Sequence, residues 1–348
     1  MLDYIIVGAG LSGICIAEEL IKRGKTLIVF ENNSQSSSTV AGGIFNPVIL
    51  KRFTLAWNAG KQLETALPFY QSLEKKLESN LIYDLAVYRK FNSVEEQNNW
   101  FNAMDKHLLE PFLDARLTPS VNQNIPSDYS FGRVKGTGRI DTSLLIWKYR
   151  EYLKSINSLT SSGLDYTQLD IDEDGVSYNG IRANRIIFCE GFGLIDNPWF
   201  NFLPLHGNKG EYLVIRSKDL KLEVAVKSSV FILPLGEDLY KIGATYDPRD
   251  ITEDPTAGAR ATLVSQVKKM ITCDFEIVDQ VAGIRPATKD RKPLVGQHPH
   301  FSPLFCCNGF GSRGVLIAPT VARDFVAYLE DGTILDPEID LKRFLQDS

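Results

Sequence analysis

Apolar residues along this chain gather in short β-branched runs that stop at glycine, and helical stripes follow them. The amino terminus shows the arrangement most fully. In "DYIIVGAGLSGICIAEELIKRGKTLIVFE" an apolar run ends at Gly8, then Leu11, Ile14, Cys15, Ala17, Leu20 and Ile21 recur at helical spacing before a second apolar run. This predicts strand, turn, helix, strand. The same order returns near the carboxy terminus, where "PLFCCNGFGSRGVLIAPTVARDFVAYLEDG" predicts a strand, a turn at Gly309, Gly311 and Gly314, and a helix. "IRANRIIFCEGFG" predicts a further strand, ending in glycine at Gly191. Between them, "SVEEQNNWFNAMDKHLLEP" predicts a helix opened by a capping box, Ser93 with Glu96, with Trp100, Phe101 and Met104 on one face. "SVFILPLGEDLYKIGATY" predicts a hairpin turning around Gly236.

Composition narrows the setting. With 348 residues and 44% hydrophobic content the chain can bury a large core and form two domains or one elaborated domain. A formal charge of −5 and no long run of like charges argue against a general nucleic-acid binder or a partner of anionic membranes. Five cysteines, never spaced as CxxC, suggest neither a disulfide framework nor zinc, and reduced thiols fit a cytoplasmic protein. The start "MLDYIIVGAG" lacks the basic flank and the length of a signal or membrane span. His107, His206, His298 and His300 form no metal pattern, and no catalytic triad is evident.

Gly8, Gly10 and Gly13 stand at GxGxxG spacing between strand and helix, with Glu31 eighteen residues on. Each has a use in binding a dinucleotide. Gly8 makes the tight turn, Gly10 lets a pyrophosphate approach the backbone, Gly13 lets helix and strand pack, and Glu31 holds ribose hydroxyls. The second glycine turn, some three hundred residues later, suggests one long cofactor touched at both ends. A helix amino terminus there could neutralise charge on a reduced flavin, which favours FAD over NAD.

In order, the chain carries "VGAGLSG", a serine cluster with "AGGIFNP", "GTGRIDTSLLIWKY", "ANRIIFCEGFG", "PLHGNKGEYLVI", "FILPLGEDLYKIGATY", "AGIRPATKDRKPLVG" and "NGFGSRGVLIAP". This series resembles the D-amino-acid oxidase superfamily of flavoenzymes, in the branch of glycine and sarcosine oxidases. "IGATYD" and "GFGSRG" are also similar to the oxidase domain of the bifunctional enzyme that completes a modified wobble uridine in tRNA. The resemblance implies an α/β fold: a Rossmann-like FAD-binding domain of the glutathione-reductase type from about 1–82, 135–205 and 280–348. A discontinuous substrate domain of antiparallel sheet plus helices would come from 83–134 and 206–279. It implies a cofactor site of Gly8, Gly10, Leu11, Ser12, Gly13, Glu31, Ser38, Thr39, Ala41, Gly42, Gly43, Gly191, Gly309, Gly311, Ser312, Arg313, Gly314 and Val315.

The implied reaction is oxidation of an amine: hydride passes from the carbon beside nitrogen to the flavin, and water hydrolyses the imine. The arginine of a "GLRPGTKDGKP"-like segment grips the substrate carboxylate in glycine oxidase-like enzymes, and "GIRPATKDRKP" puts Arg285 there. An internal ion pair with Asp290 is the alternative. Arg313 is a second possible clamp or a backbone brace. Two departures stand out. Phe231 falls where glycine oxidase-like chains have a carboxylate-binding tyrosine, and Lys241 falls where sarcosine oxidase-like chains have a lysine that helps oxygen react. Thr245 and Tyr246 would line the ring, with Tyr246 beside Lys241 in the chemistry. No cysteine occupies the segment used for covalent flavin attachment, so FAD is expected to bind non-covalently. The expected partners are a small amine or amino acid and oxygen or another acceptor. The rivals are a tRNA wobble-uridine carboxymethylamine oxidase and a flavoprotein with a non-amine redox or electron-transfer role.

Overall fold

The computed structural model describes residues 1–345; the last three residues of the expected cofactor domain lie outside the described residues. The fold is mixed α/β and rests on two large sheets. In the eight-stranded sheet, Leu2–Val7 lies parallel between Leu27–Phe30 and Ile181–Phe188, with Leu304–Asn308 parallel on the far side of Ile181–Phe188. Parallel strands covered on both faces read as unbroken apolar runs, which is why "YIIV" and "RIIF" show no polar alternation. Tyr4 and Ile6 face a core shared with the helices Leu11–Lys22, Ala59–Leu77, Thr142–Ser155 and Gly314–Asp331. Ile5 and Val7 face a second core with Phe188, Phe192 and Phe200.

The seven-stranded sheet runs Glu276–Thr288, Leu205–Arg216, Leu239–Gly243, Phe231–Gly236, Ala225–Lys227, Val87–Lys90, Phe131–Val134. It is antiparallel except where Ala225–Lys227 meets Val87–Lys90. The helix Ala257–Lys268 covers one face through Leu263 and Val267, against Leu213, Ile215, Ile232 and Ile242. The two longest strands cross between the cores. Leu205 and Ile284 are buried with the eight-stranded sheet, and Leu213 and Ile215 belong to the other core. No described helix is long and apolar enough to cross a membrane.

Two local expectations change in detail. The hairpin turns at Glu237 and Asp238, both at positive φ, just past Gly236. The helix Val94–Met104 is capped as expected, Glu96 N–H donating to Ser93 Oγ at 3.1 Å, but it buries Trp100 and Ala103 and leaves Phe101 exposed. The Glu96 side chain turns to Arg89 and the Asn92 N–H, not to Ser93.

Candidate active site

Strand Leu2–Val7 delivers the chain into a turn that only glycine allows. Gly8 has φ +98°, and a Cβ there would lie 2.5 Å from the Cys189 carbonyl oxygen. A Cβ on Gly13 would lie 1.9 Å from the Gly8 carbonyl oxygen, so the helix sits directly on the turn. Gly10 is the helix N-cap, and no acid occupies the first turn. Ser38 reaches over this end and accepts from Leu11 N–H at 3.3 Å, while Thr39 Oγ1 donates to the Ser36 carbonyl. Ser12 Oγ donates to the Cys307 carbonyl at 2.8 Å, tying the first helix to strand Leu304–Asn308.

The second glycine turn ends beside the first. Gly309 and Gly311 have positive φ, and Gly311 N–H donates to the Pro286 carbonyl at 2.8 Å, laying the turn along the strand that carries Arg285. A Cβ on Gly314 would lie 3.4 Å from Leu11 Cδ1, so the two helix starts touch. The Val315 carbonyl accepts from Tyr70, the Gly191 carbonyl accepts from Asn308 Nδ2, and Ser312 is exposed. Arg313 caps the carboxy-terminal helix without a side-chain bond to it; its Nη1 is buried without a partner, and burial lowers its pKa. Gln35 Oε1 is buried and unpartnered as well.

Glu31 is held by the protein itself. One oxygen accepts from Ala9 N–H at 2.6 Å and pairs with Arg150 at 2.8 Å; the other accepts from Asn33 N–H. Arg150 also donates to the Ala9 carbonyl. This arginine lies on Thr142–Ser155, outside the glycine motif, and only the folded chain reveals it. Two adjoining helix starts free of acids, with the buried, unpartnered Arg313 Nη1 at one of them, fit a dinucleotide that carries a pyrophosphate.

One face of the seven-stranded sheet closes against the loop 36–43. Alternation and register put Asn208, Gly210 and Tyr212, then Gly283 and Arg285, then Lys241 and Gly243, then Phe231 and Leu233 on this face. Lys241 Nζ donates to the carbonyls of Val40 and Ala41 at 3.1 and 3.3 Å. Burial, helped by the nearby charge of Arg139, pushes its pKa down to about 8. A Cβ on Gly42 would meet Leu233 at 2.9 Å, and one on Gly43, at φ +69°, would lie 1.9 Å from the Ile140 carbonyl oxygen. Phe231 carries no polar atom on its ring, which lies under Lys227 Nζ.

Arg285 Nη1 donates to Asn208 Oδ1 at 3.1 Å and to the Thr245 carbonyl at 3.4 Å. Gly210 leaves room for the guanidinium to lie across it: a Cβ there would lie 1.8 Å from Arg285 Nη2 and would push the arginine aside. No carboxylate pairs with Arg285 among the described residues. The alternative partner, Asp290, pairs with Arg343 at 2.9 Å. Thr245 Oγ1 accepts from Glu211 N–H. Tyr246 is 77% exposed and is not drawn into this cluster. Asn208 and Tyr212 were not expected: both lie in "PLHGNKGEYLVI", but only strand register brings them to this face.

Residues 3–329 match the family described as FAD dependent oxidoreductase. The chain is 24% identical over 342 residues to a glycine oxidase of Bacillus subtilis, covering 91% of this chain and 90% of that protein. It is 23% identical to the tRNA 5-methylaminomethyl-2-thiouridine biosynthesis bifunctional protein of Legionella pneumophila, covering 93% of this chain but 54% of that protein. The crystal structure of glycine oxidase from Geobacillus kaustophilus superposes with a TM-score of 0.83 at 20% identity, covering 99% of this chain and 97% of the other. With the match spanning most of the chain, this protein belongs to the family of FAD-dependent oxidoreductases.

Proposed function

We propose that this enzyme oxidises the C–N bond of an amino acid or N-substituted glycine whose carboxylate is held by Arg285. The supporting observation is the company Arg285 keeps: a guanidinium on the face that meets the 36–43 loop, bonded only to one amide oxygen and one carbonyl. A planar guanidinium takes both oxygens of a carboxylate and so fixes the neighbouring amine-bearing carbon. The similarity to glycine oxidases points the same way. When bound, FAD supplies the two-electron oxidant that takes hydride from that carbon. The chain's own residues orient the substrate and exclude water, and the imine released is hydrolysed.

In this reading Gly8–Gly13, Glu31, the segment 38–43, Gly191 and Gly309–Val315 hold the dinucleotide. Segments 1–82, 135–205 and 280–348 form the cofactor half, and 83–134 with 206–279 the substrate half. Phe231 and Thr245 line the substrate space. Tyr246, largely exposed, would act only by folding inward. Lys241 holds positive charge where electrons leave for oxygen. FAD binds without a covalent link, so acid precipitation should leave a white pellet and a yellow supernatant.

Arg285→Ala tests the clamp. It should weaken flavin reduction by carboxylated amines by about 2–5 kcal/mol, at least ~tenfold, and leave the spectrum of bound FAD unchanged. Amines without a carboxylate should be poor substrates of the parent and lose little. A variant with the parent's preference for carboxylated amines rejects the clamp.

A second reading, oxidation of a carboxymethylamine on a wobble uridine, is supported by "GFGSRG" and by the similarity to the tRNA-modifying protein. It calls for the same grip on a carboxylate. Anaerobic bleaching of the flavin by tRNA bearing that group, and not by glycine or N-methylglycine, would select it. Bleaching by none of these would favour a redox role without amine turnover.

A further inference from the structure

Register sets Asn208 directly opposite Arg285 on the neighbouring strand. The amide oxygen accepts from Arg285 Nη1 at 3.1 Å. A guanidinium only donates, so the oxygen of this amide must face it and the NH2 must point elsewhere. That NH2 has no acceptor. Asn208 is 5% exposed, and its Nδ2 is fully buried without a hydrogen-bond partner. Leaving a buried donor unpaired costs stability, and an apolar residue of the same size would avoid the cost. Asn208 is therefore a poor choice for the fold alone.

Three further facts direct this donor toward a ligand. Asn208 lies on the face that meets the 36–43 loop, together with Gly210, Tyr212 and Lys241. The guanidinium lies across bare Gly210, which leaves the Asn208 amide beside it with no side chain between. Phe231, on the same face, offers no donor. The site thus has one cation without an anion and, touching it, one buried N–H without an acceptor. A carboxylate satisfies both.

We propose that Asn208 is a second carboxylate-binding residue: Oδ1 steadies the guanidinium, and Nδ2 donates to an oxygen of the substrate carboxylate that Arg285 binds. The inference rests on the reading of Arg285 as a carboxylate clamp. Asn208 is neutral, so the site keeps a net positive charge for the anion while gaining a directional bond to it. An acid at this position would neutralise Arg285 from within.

The experiment uses FAD-loaded enzyme and methoxyacetate, a carboxylate with no C–N bond to oxidise, with binding read from the flavin absorption spectrum. Asn208→Leu should weaken methoxyacetate roughly tenfold, the value of one bond to a charged group. It should raise the substrate concentration needed for half-maximal flavin reduction by a similar factor and leave the limiting rate within about twofold. Asn208→Asp keeps an acceptor for Arg285 and removes the donor; it should weaken methoxyacetate more than Leu does, and acid should partly restore binding. If Asn208→Asp binds as the parent does, Asn208 only orients the arginine or does nothing, and the proposal is overturned. Asn208→Ala, which removes the same amide with less change in packing, takes the place of Asn208→Leu should that variant fail to fold. Arg285→Ala separates the two claims. Loss of methoxyacetate in Arg285→Ala with full binding in both Asn208 variants sinks Asn208 and leaves the clamp standing, whereas undiminished binding in Arg285→Ala, or none in the parent, sinks both.

Discussion

The seven-stranded sheet buries Lys209 on one face and half-buries Lys241 on the other, and treats the two differently. Lys209, 1% exposed, is met by Asp250 at 2.6 Å and Glu211 at 3.9 Å, and it donates to Thr252 Oγ1 and the Asp254 carbonyl. Glu211 in turn accepts from Thr256 and Gln280. On the opposite face Lys241 meets two backbone carbonyls and the Tyr212 ring, and Arg285 an amide oxygen and a carbonyl, with no carboxylate on either among the described residues. By residue type alone the Lys209 cluster has the richer chemistry. Yet its charges are answered by the chain, and what they accomplish is to anchor the loop 247–256. The face that looks poorer in titratable groups is the one left unfinished, and half-buried charges without a counter-charge point to a ligand.

The comparison breaks most easily at Lys209. Lys209→Met leaves buried Glu211 and part-exposed Asp250 without their cation and should cost about 3 kcal/mol of stability in urea denaturation, the low end for a broken buried pair because Asp250 keeps its contact with water. Lys241→Met, on the other face, strands no acid and should cost nothing. Equal losses from the two changes would show that partner chemistry does not separate the faces.

Lys241→Met sharpens the contrast through pH. Burial lowers the Lys241 pKa from 10.5 to about 8. Below pH 8 the folded protein holds an ammonium that burial disfavours; between about 8 and 10.5 it has released that proton while the unfolded chain still binds it. Stability from this group therefore rises with pH through that window and is flat on either side. Replacing it by Met should raise stability by about 1–3 kcal/mol at pH 7, with the gain gone near pH 10.5. The same variant should slow oxidation of the reduced enzyme by oxygen more than it slows reduction by substrate, because positive charge helps as oxygen gains electrons. A pH-independent gain would remove the buried ammonium from the account, and equal slowing of both half-reactions would remove the oxygen role.

What the sequence disclosed follows the same division. The glycine turns were legible because each is contiguous: Gly8 and Gly13 pack on one another within a single turn of chain, and Gly309–Gly314 repeats the logic. Arg285 was legible because it sits in one short segment. Asn208 was not, because it meets Arg285 across 77 residues of chain and only strand register makes them neighbours. Arg150 reaches Glu31 from 119 positions further along, on a helix with an ordinary amphipathic pattern. Phe101 was misjudged because it lies one residue from buried Trp100, and a hundred degrees of helical turn carries it to solvent.

The smallest effect concerns the link between the faces. The anchored loop does not end at Lys209: both carboxylate oxygens of Glu253 accept from Ser36 N–H, at 2.9 and 3.1 Å, and Ser36 Oγ donates to the Ala282 carbonyl. Glu253 thus carries the order of the satisfied face round to the start of the loop that closes the unfinished one. It is only half-buried and touches a single backbone N–H, so its loss should be modest. Glu253→Ala should cost about 1 kcal/mol, the net value of one hydrogen bond. Because Ser36 Oγ keeps its own anchor, that cost should appear as local opening: amide exchange at Ser36 should speed about fivefold while exchange in the strands of the seven-stranded sheet stays at the parent's rate. Lys209→Met should speed exchange at Ser36 by at least as much, since it frees the loop that presents Glu253. Unchanged Ser36 exchange in Lys209→Met would mean that the two faces are built independently and that the loop transmits nothing between them.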